Sequence, residues 1–232
     1  MAEKITVCVG NYGYYNEGEL HDAWIELPKS PSEIRAFLRA NRLQDREHEE
    51  IYISDYDGVP FGLDSLFTET TRLEDLNLLA MQLQSVEYDE DAVLAYCEAC
   101  DSPRSVVELM NLLEQSDDIP YYAYDQKGRT PRESMGLTAV GWNPELARML
   151  ESDSMIADAF SFEDYGEAHE QENTLLEDGY YDNCADYPLL DQYDREDFEA
   201  MYGTLSTAMY YTEIDPRTMK PVFVAKTPED KA

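Results

Sequence analysis

Cys97-Glu98-Ala99-Cys100 is the one place where the chain spaces two soft ligands as a metal or redox site would. Zinc needs four ligands, usually two such pairs or one pair with histidines. The other cysteines, Cys8 and Cys184, are far away in sequence, and His21, His48 and His169 lack zinc spacing. A thioredoxin-like pair opens a helix after a strand, whereas this pair falls late in a helix pattern, so the cysteines are read as structural. Asp55-Tyr56-Asp57-Gly58 echoes a calcium loop, but the EF-hand spacing needs Gly at position six and Glu at twelve. Here Gly58 comes too early and position twelve is Leu66, so a turn or strand end is expected. Carboxylates are everywhere, and no pair stands out with the contrasting environments that acid–base catalysis requires. There is no G-x-S-x-G, no GxGxxG and no P-loop. No catalytic residue, metal or cofactor is expected.

Two kinds of side chain remain conspicuous. The tyrosines cluster as Tyr12, Tyr14 and Tyr15, Tyr121 and Tyr122, Tyr180 and Tyr181, and Tyr210 and Tyr211. Such groups serve either as strand packing with a hydroxyl at the rim or as interface anchors; packing is preferred except at the loop positions Tyr12 to Tyr15. The carboxylates are conspicuous by number: 50 Asp and Glu against 17 Lys and Arg, a net charge of −33 on 232 residues. That charge excludes non-specific binding to DNA, RNA or anionic lipid, because phosphate contacts need cations. A charge-driven partner must be basic.

The acidity is uneven. Residues 149–215 carry 19 acids and one base, and residues 149–194 carry 14 acids and neither Lys nor Arg. An ordinary solvated face mixes signs, since Glu–Lys pairs at helical spacing stabilise and like charges there repel. The residues expected to form a partner-binding acidic surface are Glu17, Glu19, Asp55, Asp57, Glu87, Asp89, Glu90, Asp91, Asp158, Glu163, Asp164, Glu167, Glu170, Glu172, Glu177, Asp178, Asp182, Asp186, Asp191 and Asp194. Residues 119–148 are nearly neutral, and Arg217, Lys220, Lys226 and Lys231 make the last residues basic. Two such chains could meet there with least repulsion, so a symmetric dimer is expected through this third segment, using its Tyr-rich strands.

With 43% hydrophobic and 12% aromatic residues the chain should fold. No apolar run approaches a membrane span, the start lacks the form of a signal peptide, and the unpaired cysteines suit a reducing interior. A cytoplasmic protein is expected. Three segments are read from the elements. Residues 1–65 hold strands at Ile5–Val9, Ala23–Leu27 and Ile51–Ser54, a long loop from Gly10 to Asp22, and a helix opened by the capping box Ser30-Pro31-Ser32-Glu33, with Ile34, Phe37, Leu38 and Leu43 inward. Residues 66–118 are helical: starts are read at Thr71-Arg72-Leu73-Glu74, Asp89 and Ser102-Pro103. Residues 119–232 form an acidic α+β segment. It has a strand at Ile119–Tyr124, a Gly- and Pro-bearing stretch 125–144, a helix from Pro144 to Leu150 and another from Asp197 to Tyr202. Strands at Ala208–Ile214 and Pro221–Ala225 follow, with fraying from Pro228.

The runs Tyr15-Asn16-Glu17-Gly18-Glu19-Leu20, Trp24-Ile25 and Glu50-Ile51-Tyr52-Ile53-Ser54-Asp55-Tyr56-Asp57-Gly58 resemble the N-terminal domain of ArdA antirestriction proteins. Leu73-Glu74-Asp75-Leu76-Asn77-Leu78-Leu79-Ala80 and Ser105-Val106-Val107-Glu108-Leu109 resemble that family's central part, so the likeness spans roughly the first 125 residues. Asp22-Ala23 before Trp24 departs from the pattern, and the longer C-terminal part places an insertion at 125–175. The resemblance implies an α+β protein, an elongated chain of small domains: an N-terminal three-stranded antiparallel sheet with a helix, a central helical domain and a C-terminal α+β domain. It implies a homodimer, not an enzyme, that mimics B-form DNA. Such a protein occupies the DNA groove of the methyltransferase core of type I restriction–modification enzymes and protects incoming mobile DNA. The charge fits: at one charge per roughly 1.7 Å of duplex, 33 charges match about 56 Å of B-DNA, against about 45 Å for a globule of this length. An acidic chaperone for a basic nucleoid-type protein and an unrecognised carboxylate hydrolase or calcium binder are the rival readings.

Overall fold

Val7, Val9, Ile25 and Ile53 are buried and build the first sheet; on the central strand Cys8 and Gly10 are buried as well, while Ile25 and Ile53 each have an exposed residue beside them. Strands β1 (Thr6–Asn11), β2 (Ala23–Glu26) and β3 (Ile51–Asp57) are antiparallel in the order β2-β1-β3, with a register shift between Cys8 and Val9. The computed structural model describes residues 4–203 apart from 126 and 128, and the backbone of two later strands. The 10–22 stretch is not a plain loop. Helix α1 (Tyr12–Glu17) forms because the Asn11 side chain accepts the Tyr14 N–H and Gly18 closes the other end with a left-handed backbone. Helix α2 (Pro31–Ala40) starts at the expected capping box: Ser30 Oγ accepts the Glu33 N–H (3.2 Å), and Glu33 Oε2 accepts the Ser30 N–H (2.8 Å). Strand β3 runs three residues past Ser54, so Asp55 and Asp57 lie on a strand.

The chain path interleaves two compact units. The first comprises residues 1–87, 103–114 and 189–232, the second residues 88–102 and 115–188. In the first unit, helix α3 (Leu73–Ser85) is buried almost all round, with Leu76 and Leu79 fully enclosed. The box expected at Thr71 does not form. The Thr71 hydroxyl donates to the Leu66 carbonyl (2.9 Å) and accepts the Thr68 N–H (3.0 Å), and Arg72 holds the cap position without a side-chain bond. After α4 (Glu90–Ala99), α5 (Val106–Glu114) begins later than Ser102-Pro103 suggested. Ser105 Oγ accepts the Glu108 N–H, while Ser102 is engaged with the Cys97 carbonyl. Buried Gln82 on α3 donates to the Met110 carbonyl and to Glu114 on α5.

The second unit pairs β4 (Tyr121–Ala123) with later strands after four helices, of which the one starting at Pro144 is expected from the sequence and the other three are not. The four are α6 (Pro131–Gly141), α7 (Pro144–Ser152), α8 (Ser154–Ala159) and α9 (Phe162–His169). Strands β5 (Asn173–Leu175) and β6 (Gly179–Asp182) complete an antiparallel sheet ordered β4-β6-β5. The stretch 125–144 is thus mostly helix, with Thr130 and Glu133 forming a capping box around Pro131. Helices α6 and α9 cross at two glycines: a Cβ on Gly136 would fall on the Phe162 carbonyl, and one on Gly166 on the Arg132 carbonyl. Tyr180 and Tyr181 are fully buried, which places that pair in packing.

Helix α10 (Arg195–Phe198), running into a π turn at Glu199–Gly203, returns to the first unit. Strands β7 (Tyr210–Ile214) and β8 (Pro221–Ala225) form an antiparallel hairpin with Tyr210 opposite Ala225. The expected fraying from Pro228 and the basic residues Arg217, Lys220, Lys226 and Lys231 lie outside the described residues. The chain is an α+β protein. No helix among the described residues is long and apolar enough to cross a membrane.

Candidate functional site

In the first unit, Glu17 and Glu19 flank a stack of three rings. Tyr14 lies between His21 (centroids 4.3 Å apart) and His48 (4.0 Å), both nearly parallel to it. Glu19 Oε2 sits 3.1 Å from His21 Nε2, and Glu17 Oε1 3.3 Å from His48 Nε2. Asp45, absent from the expected set, organises this corner: it accepts the Tyr14 hydroxyl at 2.7 Å and the N–H groups of Glu47 and His48. Those bonds, the Tyr14 hydroxyl first, hold its carboxyl well below the usual range. Glu17, then Asp45, raises the pKa of His48. Asp55 and Asp57 are exposed on β3, each accepting the N–H of the next residue. Glu87 and Asp191 are exposed, and Asp194 caps α10 by accepting from Glu196 and Asp197.

The second unit is the more acidic, with 22 Asp and Glu against 4 Lys and Arg. Two of those four cations are already engaged: Arg129 with Asp125, and Arg132 with Glu170 in a bidentate pair (3.0 and 2.9 Å) and Glu167 at 3.4 Å. Glu170 and Glu167 therefore carry a counter-charge within the fold, and Glu172 lies 3.5 Å from His169 Nδ1. The helix starts concentrate the others. Asp89 caps α4 with Glu90 and Asp91 in its first turn, and Glu163 and Asp164 open α9, where carboxylates meet the positive end of the helix dipole. Asp158 and Asp186 are exposed; Asp182 is half-buried and accepts the Cys184 N–H.

Three expected residues come together around one cleft of about 590 Å³. Asp91, Glu177 and Asp178 line it with Glu98, which sequence reasoning passed over inside the cysteine pair. The helical spacing of 91 and 98 was the available signal. Burial pushes the Cys97 thiol up to about 11 and also raises Cys100, the direction of an unactivated, buried thiol. Among the described residues no three His, Cys, Asp or Glu side chains are arranged to hold a metal ion. What the arrangement offers is a spread of solvated carboxylates, with few internal cations, to a basic surface.

Comparison with known proteins gives one short likeness and one long one. A UPF0313 protein of Clostridium perfringens (strain SM101 / Type A) is 51% identical over 37 residues, which is 16% of this chain and 6% of that protein. A stretch of that size carries no assignment. Residues 7–187 match the family described as antirestriction protein (ArdA), covering nearly all of both three-stranded sheets and of the second unit. The chain belongs to the ArdA antirestriction protein family.

Proposed function

We propose that this protein blocks type I restriction–modification enzymes by presenting carboxylates where their DNA groove expects phosphates. The observation that supports this best is the second unit's 22 acids against 4 bases, two of the latter already paired internally. A groove that binds duplex is lined with Lys and Arg, and its affinity for DNA falls with salt as counterions move. An acidic protein surface meets the same cations by the same electrostatics and needs no base readout. The activity is one of binding rather than of catalysis.

A second copy is proposed to meet the first through α7 and α8. Helix α7 buries none of its side chains; Met149 on it is exposed, as are Met155 (80% exposed) and Ile156 on α8. Arg148 beside Glu145 and Glu151 gives α7 mixed charge, so it is a place where two such acidic chains can approach. Sedimentation at micromolar concentration and moderate salt should show a dimer; a monomer would end this part of the reading.

The deciding experiment is displacement of a fluorescent DNA duplex from a type I methyltransferase core. Stoichiometric release that weakens as salt rises is expected. No release at tenfold excess, with capture of a small basic nucleoid-type protein instead, would overturn the reading in favour of an acidic chaperone.

A further inference from the structure

We infer that the cleft between α4 and the second sheet is a docking groove for an arginine-bearing segment of the partner's DNA-binding surface. This rests on the reading above and goes further, since it names one place in a diffuse acidic field where a side chain is held. Asp91, Leu94, Ala95 and Glu98 recur at i, i+3, i+4 and i+7, so one face of α4 carries two carboxylates about 10 Å apart with an apolar step between them. Across from them stand Tyr121 and Ala123, alternate residues on the same face of β4, and the β5–β6 turn with Leu176, Glu177 and Asp178.

The rim and floor differ in what they offer. Asp91, Glu98, Glu177 and Asp178 make no side-chain hydrogen bond or ion pair among the described residues, so their charge is free to meet an incoming cation. Leu94, 41% exposed, Leu176 and Ala123 leave an apolar floor uncovered. Burial and the nearby Asp91 and Asp178 raise the Tyr121 pKa, keeping its hydroxyl protonated beside the rim. A strongly hydrated small cation gains nothing from an apolar floor. A long side chain with an aliphatic stem and a charged head uses both. Arginine fits better than lysine, because guanidinium is weakly hydrated, binds carboxylates in bidentate fashion and stacks on an aromatic ring such as Tyr121. The cleft's 590 Å³ exceeds one such side chain, so a segment with neighbouring basic residues is the occupant.

The test uses the full chain and hexa-arginine amide as probe, titrated calorimetrically at low salt. Ala123→Phe fills the floor and changes no charge. The double variant Glu98→Gln, Asp178→Asn removes two rim charges, and Glu163→Gln, Asp164→Asn removes two exposed charges of the same unit outside the cleft. The first two should weaken binding about tenfold or more, and the third less than about threefold. Should Ala123→Phe fail to fold, Leu94→Asn on the same floor carries the same expectation. Equal losses for the two charge pairs, with the floor variant binding as wild type, would overturn the groove and leave only a diffuse field. Running the same variants in the duplex-displacement assay separates the two levels. Wild type failing to displace DNA overturns the mimicry itself, whereas groove variants displacing as well as wild type overturn only the groove.

Discussion

His48 shows how little a single titratable side chain says until its neighbours are known. Its ring touches Tyr14, Asp45 and Glu17, and the last lies 31 residues away in sequence. Its pKa is raised in the fold, so its contribution to stability is complete below the unfolded value of about 6.5 and is lost as pH rises through the folded value. The melting-temperature difference between wild type and His48→Asn should therefore be larger near pH 6 than near pH 9. An equal difference at both would show that the ring titrates as in the unfolded chain. Asp45 has the opposite sign: its pKa is lowered, so its contribution holds above about pH 3.9 and fails as acid is added. The Ser30 box was legible because cap and partner are three residues apart. The Thr71 box read equally well and failed, because the competing Leu66 carbonyl is supplied by the turn that precedes the helix. Glu98 went unnoticed because the site it joins is assembled from α4, β4 and the β5–β6 turn.

Helices α6 and α9 depend on Gly136 and Gly166, each standing where the other helix's backbone passes. Gly136→Ala should cost about 1–3 kcal/mol, the range for overpacking a tight contact, measured by denaturant unfolding. Gly141 on the same helix meets nothing, so Gly141→Ala should be neutral or stabilising by about 0.5–1 kcal/mol. Equal effects at the two positions would deny the close crossing. In sequence Gly136 falls in a Gly- and Pro-bearing stretch, and glycine signals a break unless the approaching helix is known. The three N-terminal strands, by contrast, were readable from short β-branched runs bounded by turn residues, while their antiparallel pairing was implied by the family resemblance.

Net charge is the property most legible from composition, because it needs no coordinates. At −33 the molecule repels itself, and the fold should tighten as salt shortens the Debye length from about 30 Å at 0.01 M to 10 Å at 0.1 M. Melting temperature should rise over that range; a flat or falling curve would mean the acids are too dispersed to interact. Exposed charges are each worth about 0–1 kcal/mol, so Glu90→Gln, Asp158→Asn or Glu172→Gln alone should leave inhibition nearly intact. Neutralising eight or more along the second unit should weaken inhibition steeply and flatten its salt dependence. Loss of all inhibition from one amide substitution in a folded protein would contradict a phosphate decoy.

The interleaved path also sets a timetable for the nascent chain. The second unit is complete once residue 188 has left the ribosome, while the first still waits for residues 189–203. That late segment brings Phe198 into the interior, ties Tyr193 to Asn111, sets Arg195 against Asp75 and joins Tyr202 to Glu114. It also lies beyond the stretch matched to the family. The acidic unit is thus ready to fold while α3 and α5 remain uncapped, and a chain halted at 188 would carry its charge on a molecule whose other interior is still open.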